Sequence, residues 1–438
     1  MKRLLIHSLV FGPDGVSTAY LYNDIAAAFD EAGWEVKVVT TTPHFNPPAG
    51  AQSAELEASP FGSSAEPHPT TGEAGGPPAI EPRVLRPSGG TSCPADGNIK
   101  VIRVPMRRFK HIWSRMLGFV WWHLASFFVI LLGKRPDVIL SPSPPPTVGL
   151  LNVWLGRLKR CKVVYNVQEI YPDILKNLHG LPLKVMRRME RRIYDGSDAV
   201  VTIDQVFRDT IAPRFAHPET LHIIPNFVDT ELYRPLVPSS PSASRNDRLV
   251  LLYAGNVGLA QDWDLLLDLA QKTSGMPVEY SVVGDGLKKD YLLAGIAERH
   301  LENISVLPYQ PREKMPELLA CSDADFIFMN PSMDRQGFPS KVYTIMACAR
   351  PLIVSSGEDT PIVNFLKGKP CGLLFSNPRN DRSDDIAGYL QGLLEAGVEK
   401  ARATLREMGA SGRELVEEQY SREKVCSRYV ELLDSLLK

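Results

Sequence analysis

At 438 residues the chain is too long for one ordinary hydrophobic core and reads as two domains with additions. A hydrophobic fraction of 44% and a charged fraction of 23% are those of a globular protein, and a net charge of −1 leaves no global field to recruit nucleic acid. Cys93, Cys161, Cys321, Cys348, Cys371 and Cys426 stand apart with no Cys-x-x-Cys pair, which argues against a disulfide frame or a zinc knuckle and for a reducing compartment.

In chain order, Leu4–Val10 predicts a buried strand rather than a signal peptide, because its short apolar run passes at once into Phe11-Gly-Pro-Asp-Gly15. A helix over Ala19–Ala32, closed by Gly33, and a strand over Glu35–Thr40 follow. Residues 47–97 are rich in Pro, Gly, Ser, Ala and Glu and predict a disordered insertion. The apolar run Met116–Leu132, within a helix over 112–132, has about 17 residues, the short edge for a membrane span. A span there would split one sheet across a bilayer. A buried helix fits better, or a surface helix with Trp121 and Trp122 at headgroup level and Arg107, Arg108, Lys110 and Arg115 toward anionic lipid. Peripheral contact with the inner face of the cytoplasmic membrane is therefore expected of a cytoplasmic protein.

Strands over Val138–Ser141, Lys162–Val167, Ala199–Thr202 and His222–Ile224 complete a first βαβ series. Between them, Lys184–Ile193 sets Met186, Met189 and Ile193 on one helical face and Arg187, Arg188, Arg191 and Arg192 around the other. The rhythm restarts after the Pro/Ser-rich stretch Arg234–Asp247, with strands over Leu249–Ala254, Val278–Val283, Ile304–Val306, Ala324–Met329 and Leu352–Ser355. The fold class is α/β: two Rossmann-like doubly wound domains, 1–225 and 249–415, joined by a linker at 226–248 and facing a cleft.

Chemistry-bearing residues gather at strand ends. Gly12–Thr18 offers glycines and a helix start for an anion, or simply a tight turn with Ser17 or Thr18 as N-cap; Gly15, Ser17 and Thr18 face the cleft in the first case. It is not Gly-x-Gly-x-x-Gly, so a dinucleotide fingerprint is absent. Gly255, Asn256 and Gly258 end one strand, Gly284, Asp285 and Gly286 the next, and Tyr309 and Gln310 follow a third, suited to a flat base. Gly337-Phe-Pro-Ser340 leads into a helix whose first turn holds Lys341, where a structural helix prefers an acid, and this predicts a diphosphate ligand. In the first domain Gln168 and Glu169 end a strand, and Glu169 is a candidate to orient or deprotonate a hydroxyl, or else a solvated loop acid.

These blocks, with Ser141–Gly149, Ile224–Asp229 and Pro339–Pro351, resemble the family 4 glycosyltransferases of the GT-B fold, in the branch of bacterial O-antigen, colanic-acid and capsule assembly. The resemblance implies a retaining transferase with a nucleotide-sugar donor, UDP-sugar favoured, held by the C-terminal domain. It implies a polyprenyl-diphosphate-linked sugar acceptor at the N-terminal domain, and a last helix within 416–438 crossing back to the first domain. The family's two acids, eight positions apart, are Gln336 and Thr344 here, and its basic residue after the glycine loop is Leu259, leaving Lys341 as the diphosphate cation. Its catalytic histidine has no match, and His111, His123 and His179 are not assigned to it. Amide groups at Gly258 and Ser340 and the Lys341 ammonium are expected to meet the leaving diphosphate without metal or cofactor. A nucleotide-sugar 2-epimerase and a non-catalytic nucleotide-sugar-binding partner share the pattern.

Overall fold

Runs such as Leu4–Ile6, Val138–Leu140 and Ala199–Val201 are too apolar for a sheet with one wet face, so these strands must be covered on both sides. The computed structural model describes residues 1–43, 99–106, 112–175, 178–237, 247–332, 334, 337–376 and 381–438. The expected insertion at 47–97, together with Arg107, Arg108, Lys110, His111 and Gln336, lies outside the described residues.

The first unit runs β1 (Arg3–His7), α1 (Ser17–Glu31), β2 (Glu35–Thr41), β3 (Lys100–Val104), α2 (Ile112–Leu132), β4 (Val138–Ser143), α3 (Pro146–Lys159), β5 (Lys162–Val167), α4 (Gly180–Gly196), β6 (Ala199–Thr202), α5 (Gln205–Ile211) and β7 (Leu221–Ile223). Among the described residues its strands form one sheet in the order β3-β2-β1-β4-β5-β6-β7, parallel throughout. The order reverses beside β1, a switch point of the kind that opens a crevice at the carboxyl ends of the strands.

The second unit contains β8 (Leu249–Ala254), α6 (Trp263–Lys272), β9 (Val278–Val283), α7 (Lys289–Glu298), β10 (Ile304–Leu307), α8 (Met315–Ala320), β11 (Ala324–Phe328), α9 (Lys341–Ala347), β12 (Leu352–Ser355), α10 (Pro361–Leu366), β13 (Gly372–Phe375), α11 (Arg382–Leu394) and α12 (Val398–Gln419). Its parallel order is β10-β9-β8-β11-β12-β13, with the switch between β8 and β11. Both halves are therefore Rossmann-like.

Two edge strands were not foreseen. β3, Lys-Val-Ile-Arg-Val, is charged and mostly half-buried, as edges are when they avoid pairing with other chains. β13 is four half-buried residues beginning with glycine, too short to show a period.

The last helix, α13 (Arg422–Ser435), starts where the Ser421 hydroxyl accepts from the Lys424 N–H, and it leaves the second unit for the first. Val425, Cys426, Tyr429 and Leu433 join Tyr22, Ile25, Ala26 and Phe29 of α1 in one buried cluster. At about 1.5–3 kcal/mol for each large apolar side chain, that face is strongly held. Lys2 adds an ion pair to Asp434 at 2.6 Å.

α2 is neither wholly buried nor a span. Trp122, Ser126 and Ile130 form a buried stripe, while Leu117, Val120, Trp121, Leu124 and Phe128 stand more than half exposed on the other side. No helix among the described residues is long and apolar enough to cross a membrane.

Candidate active site

The C-terminal rim of the second sheet brings its glycine loops into direct contact. The Gly255 amide donates to the Val283 carbonyl at 2.9 Å, Val257 to Asp285 at 2.9 Å, and Gly284 to Leu307 at 3.1 Å. The β10, β9 and β8 loops thus lie side by side, with Tyr309 and Gln310 at one end of the row. A Cβ on Gly284 would stand 1.8 Å from the Gly255 carbonyl oxygen, and one on Gly286 would stand 2.4 Å from that of Val257. Packing between loops demands these glycines. Gly284→Ala is therefore expected to destabilise the protein by about 1–3 kcal/mol in urea unfolding. Gly337→Ala, with nothing within 4 Å of its added Cβ, should stay within about 0.5 kcal/mol.

Lys341 closes this row. Its stem is half-buried but its Nζ is buried, 3.6 Å from the centroid of the Tyr253 ring and 2.7 Å from where a Gly255 Cβ would be. The ammonium has no hydrogen-bond acceptor among the described residues. Burial lowers its pKa to about 7, partly offset by the Asp325 carboxylate. Asp325, inside β11, accepts from the Ser322 hydroxyl at 2.9 Å, and burial raises its own pKa. The site thus holds a cation poised to lose its proton and without a hydrogen-bond acceptor among the described residues. That state is costly for a fold and suited to a ligand.

Ser340 precedes α9 as N-cap without a side-chain cap bond and is exposed, and Thr344 lies half-buried one turn beyond Lys341. Asn256 is exposed, its carbonyl accepting from the Tyr253 hydroxyl at 2.7 Å, and the Gly258 carbonyl accepts from the Trp263 indole at 2.8 Å. Asp285 is exposed and accepts from the Gly286 N–H at 2.8 Å. Tyr309 is 58% exposed, leaving its ring free to stack. Gln310 is half-buried and donates to the Pro308 carbonyl.

In the first unit the Ser143 hydroxyl accepts from the Gln168 and Glu169 amides at 3.0 and 3.3 Å and fixes that turn. Gln168 donates to Asn166, which donates to the Tyr429 hydroxyl, so the terminal helix braces the loop. Glu169 is half-buried; burial raises its pKa and a Tyr171 hydrogen bond opposes the shift. Glu169 is thus neither fully solvated nor fully buried. The Ser17 or Thr18 cap is corrected: α1 is capped by the extended Val16 with no side-chain bond, Ser17 is exposed and Thr18 half-buried. Gly15 is half-buried in a loop that Asn23 holds through the Gly12 amide at 2.9 Å.

Two residues at this seam were not anticipated. Arg312, in the loop just after Tyr309 and Gln310, lays its guanidinium 4.0 Å from the Tyr20 ring on α1 and donates to the Tyr233 hydroxyl at 2.7 Å. It joins the segment after β10 of one unit to the first helix of the other. No local pattern signals a contact between positions so distant in sequence. Asp325 did leave a signal, as an acid within the apolar run Ala-Asp-Phe-Ile-Phe.

Comparison with known proteins follows the same division. Residues 18–226 match the Glycosyl transferase 4-like domain family and residues 239–412 the Glycosyl transferases group 1 family. The chain is 22% identical over 296 residues to a protein named as a colanic acid biosynthesis glycosyl transferase, WcaI of Escherichia coli strain K12, covering 64% of this chain and 72% of that one. It is 24% identical over 263 residues to a protein named as a glycosyltransferase, WbjE of Pseudomonas aeruginosa, covering 57% and 64%. Among solved structures, Anabaena HepE in complex with UDP matches with a TM-score of 0.67 at 15% identity, covering 99% of this chain and 100% of that one. Sucrose-phosphate synthase from Thermosynechococcus elongatus matches at 0.66 and 14%, covering 100% and 99%. At such identities the structural likeness establishes the fold.

Proposed function

The chain belongs to the glycosyltransferases of the GT-B fold, in the branch of colanic-acid and O-antigen-type enzymes, and on that premise we propose that it moves a sugar from a UDP-sugar to a lipid-linked acceptor with retention at the anomeric carbon. The observation that carries this reading is the buried, unpaired ammonium of Lys341 at the meeting point of the rim loops. A departing nucleoside diphosphate gathers negative charge on its phosphate oxygens, and a desolvated cation stabilises that charge far better than water does. The Gly258 and Ser340 amides extend the anion cradle, and protein charge takes the place of a metal. Tyr309 and Gln310 receive the base, and the Thr344 hydroxyl takes the ribose. HepE, crystallised with UDP and with UDP-glucose, supports the choice of a uridine donor.

On the acceptor side, Glu169 orients the attacking hydroxyl, its burial making it the stronger base. Gly15, Ser17, Thr18 and Gln168 face the acceptor sugar. Attack from the side of the leaving diphosphate retains configuration, and apposition of the two units excludes water. The acceptor is a polyprenyl-diphosphate-linked sugar in cell-surface glycan assembly.

The exposed face of α2 carries the protein to the inner leaflet, with Trp121 at headgroup depth. Trp121→Glu with Leu124→Glu is expected to reduce co-sedimentation with anionic vesicles about tenfold or more while leaving UDP binding unchanged. Equal sedimentation would remove α2 from the contact. The function itself is tested by radiolabelled UDP-sugars with bacterial membranes. Label passing into lipid supports transfer; lipid-free epimerisation, or binding without turnover, contradicts it.

A further inference from the structure

The outer side of α4 carries a second basic feature that donor binding does not use. A groove of about 480 Å³ is lined by Arg187, Arg188, Glu190, Arg191, Pro213 and Arg214. Arg187 reaches Asp173 at 2.5 Å and Glu190 at 3.0 Å, and Arg214 reaches the same carboxylates at 2.5 and 2.9 Å. These four groups neutralise one another and fix the wall. Arg188 and Arg191 have no carboxylate partner among the described residues; Arg191 only donates its Nε–H to the Arg214 carbonyl at 3.2 Å. Four guanidiniums against two carboxylates leave the groove with two unmatched positive charges.

The surroundings narrow the ligand. Leu181 and Val185 on the preceding turns of α4 are 73% and 58% exposed, so an apolar lip leads onto the arginines. Asp173, gripped by Arg187 and Arg214, is four residues from Glu169, a separation of at most about 14 Å along the chain. The groove wall is thereby tied, through Asp173, to the loop that carries Glu169.

We propose that this groove is a phosphate site for the diphosphate of a prenyl-type lipid acceptor, with Arg188 and Arg191 as its ligands and Leu181 and Val185 meeting the first part of the chain. This rests on the lipid-linked acceptor proposed above and adds which residues read it. Guanidiniums suit the role because their planar donors pair with two phosphate oxygens at once.

The test is calorimetric titration of farnesyl diphosphate into the full chain with UDP saturating, so that the nucleotide site is occupied. Wild-type protein should bind it, and the Arg188→Gln/Arg191→Gln protein should bind about tenfold or more weakly, with partial recovery in Arg188→Lys/Arg191→Lys. Farnesol should bind both proteins equally poorly. Equal affinity of the wild-type and Gln proteins for farnesyl diphosphate overturns the site. So does loss of adsorption to phosphatidylglycerol vesicles with farnesyl diphosphate affinity intact, which would make the groove a headgroup contact. The titration reads binding rather than turnover and stands whether or not the transfer assay succeeds. Sugar transfer to lipid alongside equal farnesyl diphosphate affinity would keep the function and remove this site.

Discussion

Lys341→Met is expected to lower sugar transfer by about 10²–10³-fold, with the loss carried in kcat, because it removes a preorganised counter-charge felt most where the diphosphate leaves. The same substitution should make the folded protein more stable. Methionine fills the space with no charge to desolvate, and burial, which already raises the Asp325 pKa, pushes that carboxyl further toward its neutral form once the ammonium is gone. The sign of the pH dependence follows. The folded-state pKa of Lys341, about 7, lies below the unfolded value, so between them the unfolded chain binds more protons and stability rises with pH. The stabilisation by Met should thus be largest below pH 7 and fade toward pH 10, as read by urea unfolding at several pH values. A protein that becomes more stable while losing turnover identifies a group kept for function.

Arg312→Ala is expected to lower transfer about tenfold and to raise the share of donor lost to hydrolysis, while UDP affinity changes less than about threefold. The guanidinium stacks on Tyr20 of the first unit while its bond to Tyr233 holds it in place, and truncation removes an inter-unit contact worth about 0.5–2 kcal/mol. Looser apposition admits water to the reacting sugar. Arg312→Lys should recover little, since an ammonium reproduces neither the planar stack nor the directed bond. Measuring labelled glycolipid against free sugar from one reaction separates the two fates. An unchanged ratio would leave Arg312 as a packing residue only.

The βαβ rhythm was legible because both sheets are buried on both faces, so their strands read as continuous apolar runs such as Lys162–Val167 and Leu249–Ala254. The edge strands β3 and β13 were not, because solvent on one side dilutes the pattern. Glycines at strand ends announced the rim loops. Their contact with one another, Gly284 against the Gly255 carbonyl, is a matter of tertiary approach that no spacing encodes. Lys341 was conspicuous as a cation in a helix's first turn. Its burial against Tyr253 depends on a strand distant in the chain, and that burial turns an ordinary lysine into one with a depressed pKa. Glu169 stood out as a strand-end acid, whereas the Ser143, Asn166 and Tyr429 bonds that hold its loop join three distant segments. Arg312 and Tyr20 are likewise paired only by the fold.

Titration of UDP into the wild-type chain from pH 7 to 9, in buffers of different ionisation enthalpy, bears most directly on Lys341 as the diphosphate's counter-charge. Above pH 7 the diphosphate is already ionised, so the protein supplies the pH dependence. A bound anion raises the Lys341 pKa, so affinity should fall by up to about tenfold per pH unit, with uptake of up to about one proton on binding. Both effects should be absent from Lys341→Met. Affinity independent of pH with no proton taken up, or a Met protein that binds UDP as tightly as the wild type, would contradict the role given to Lys341.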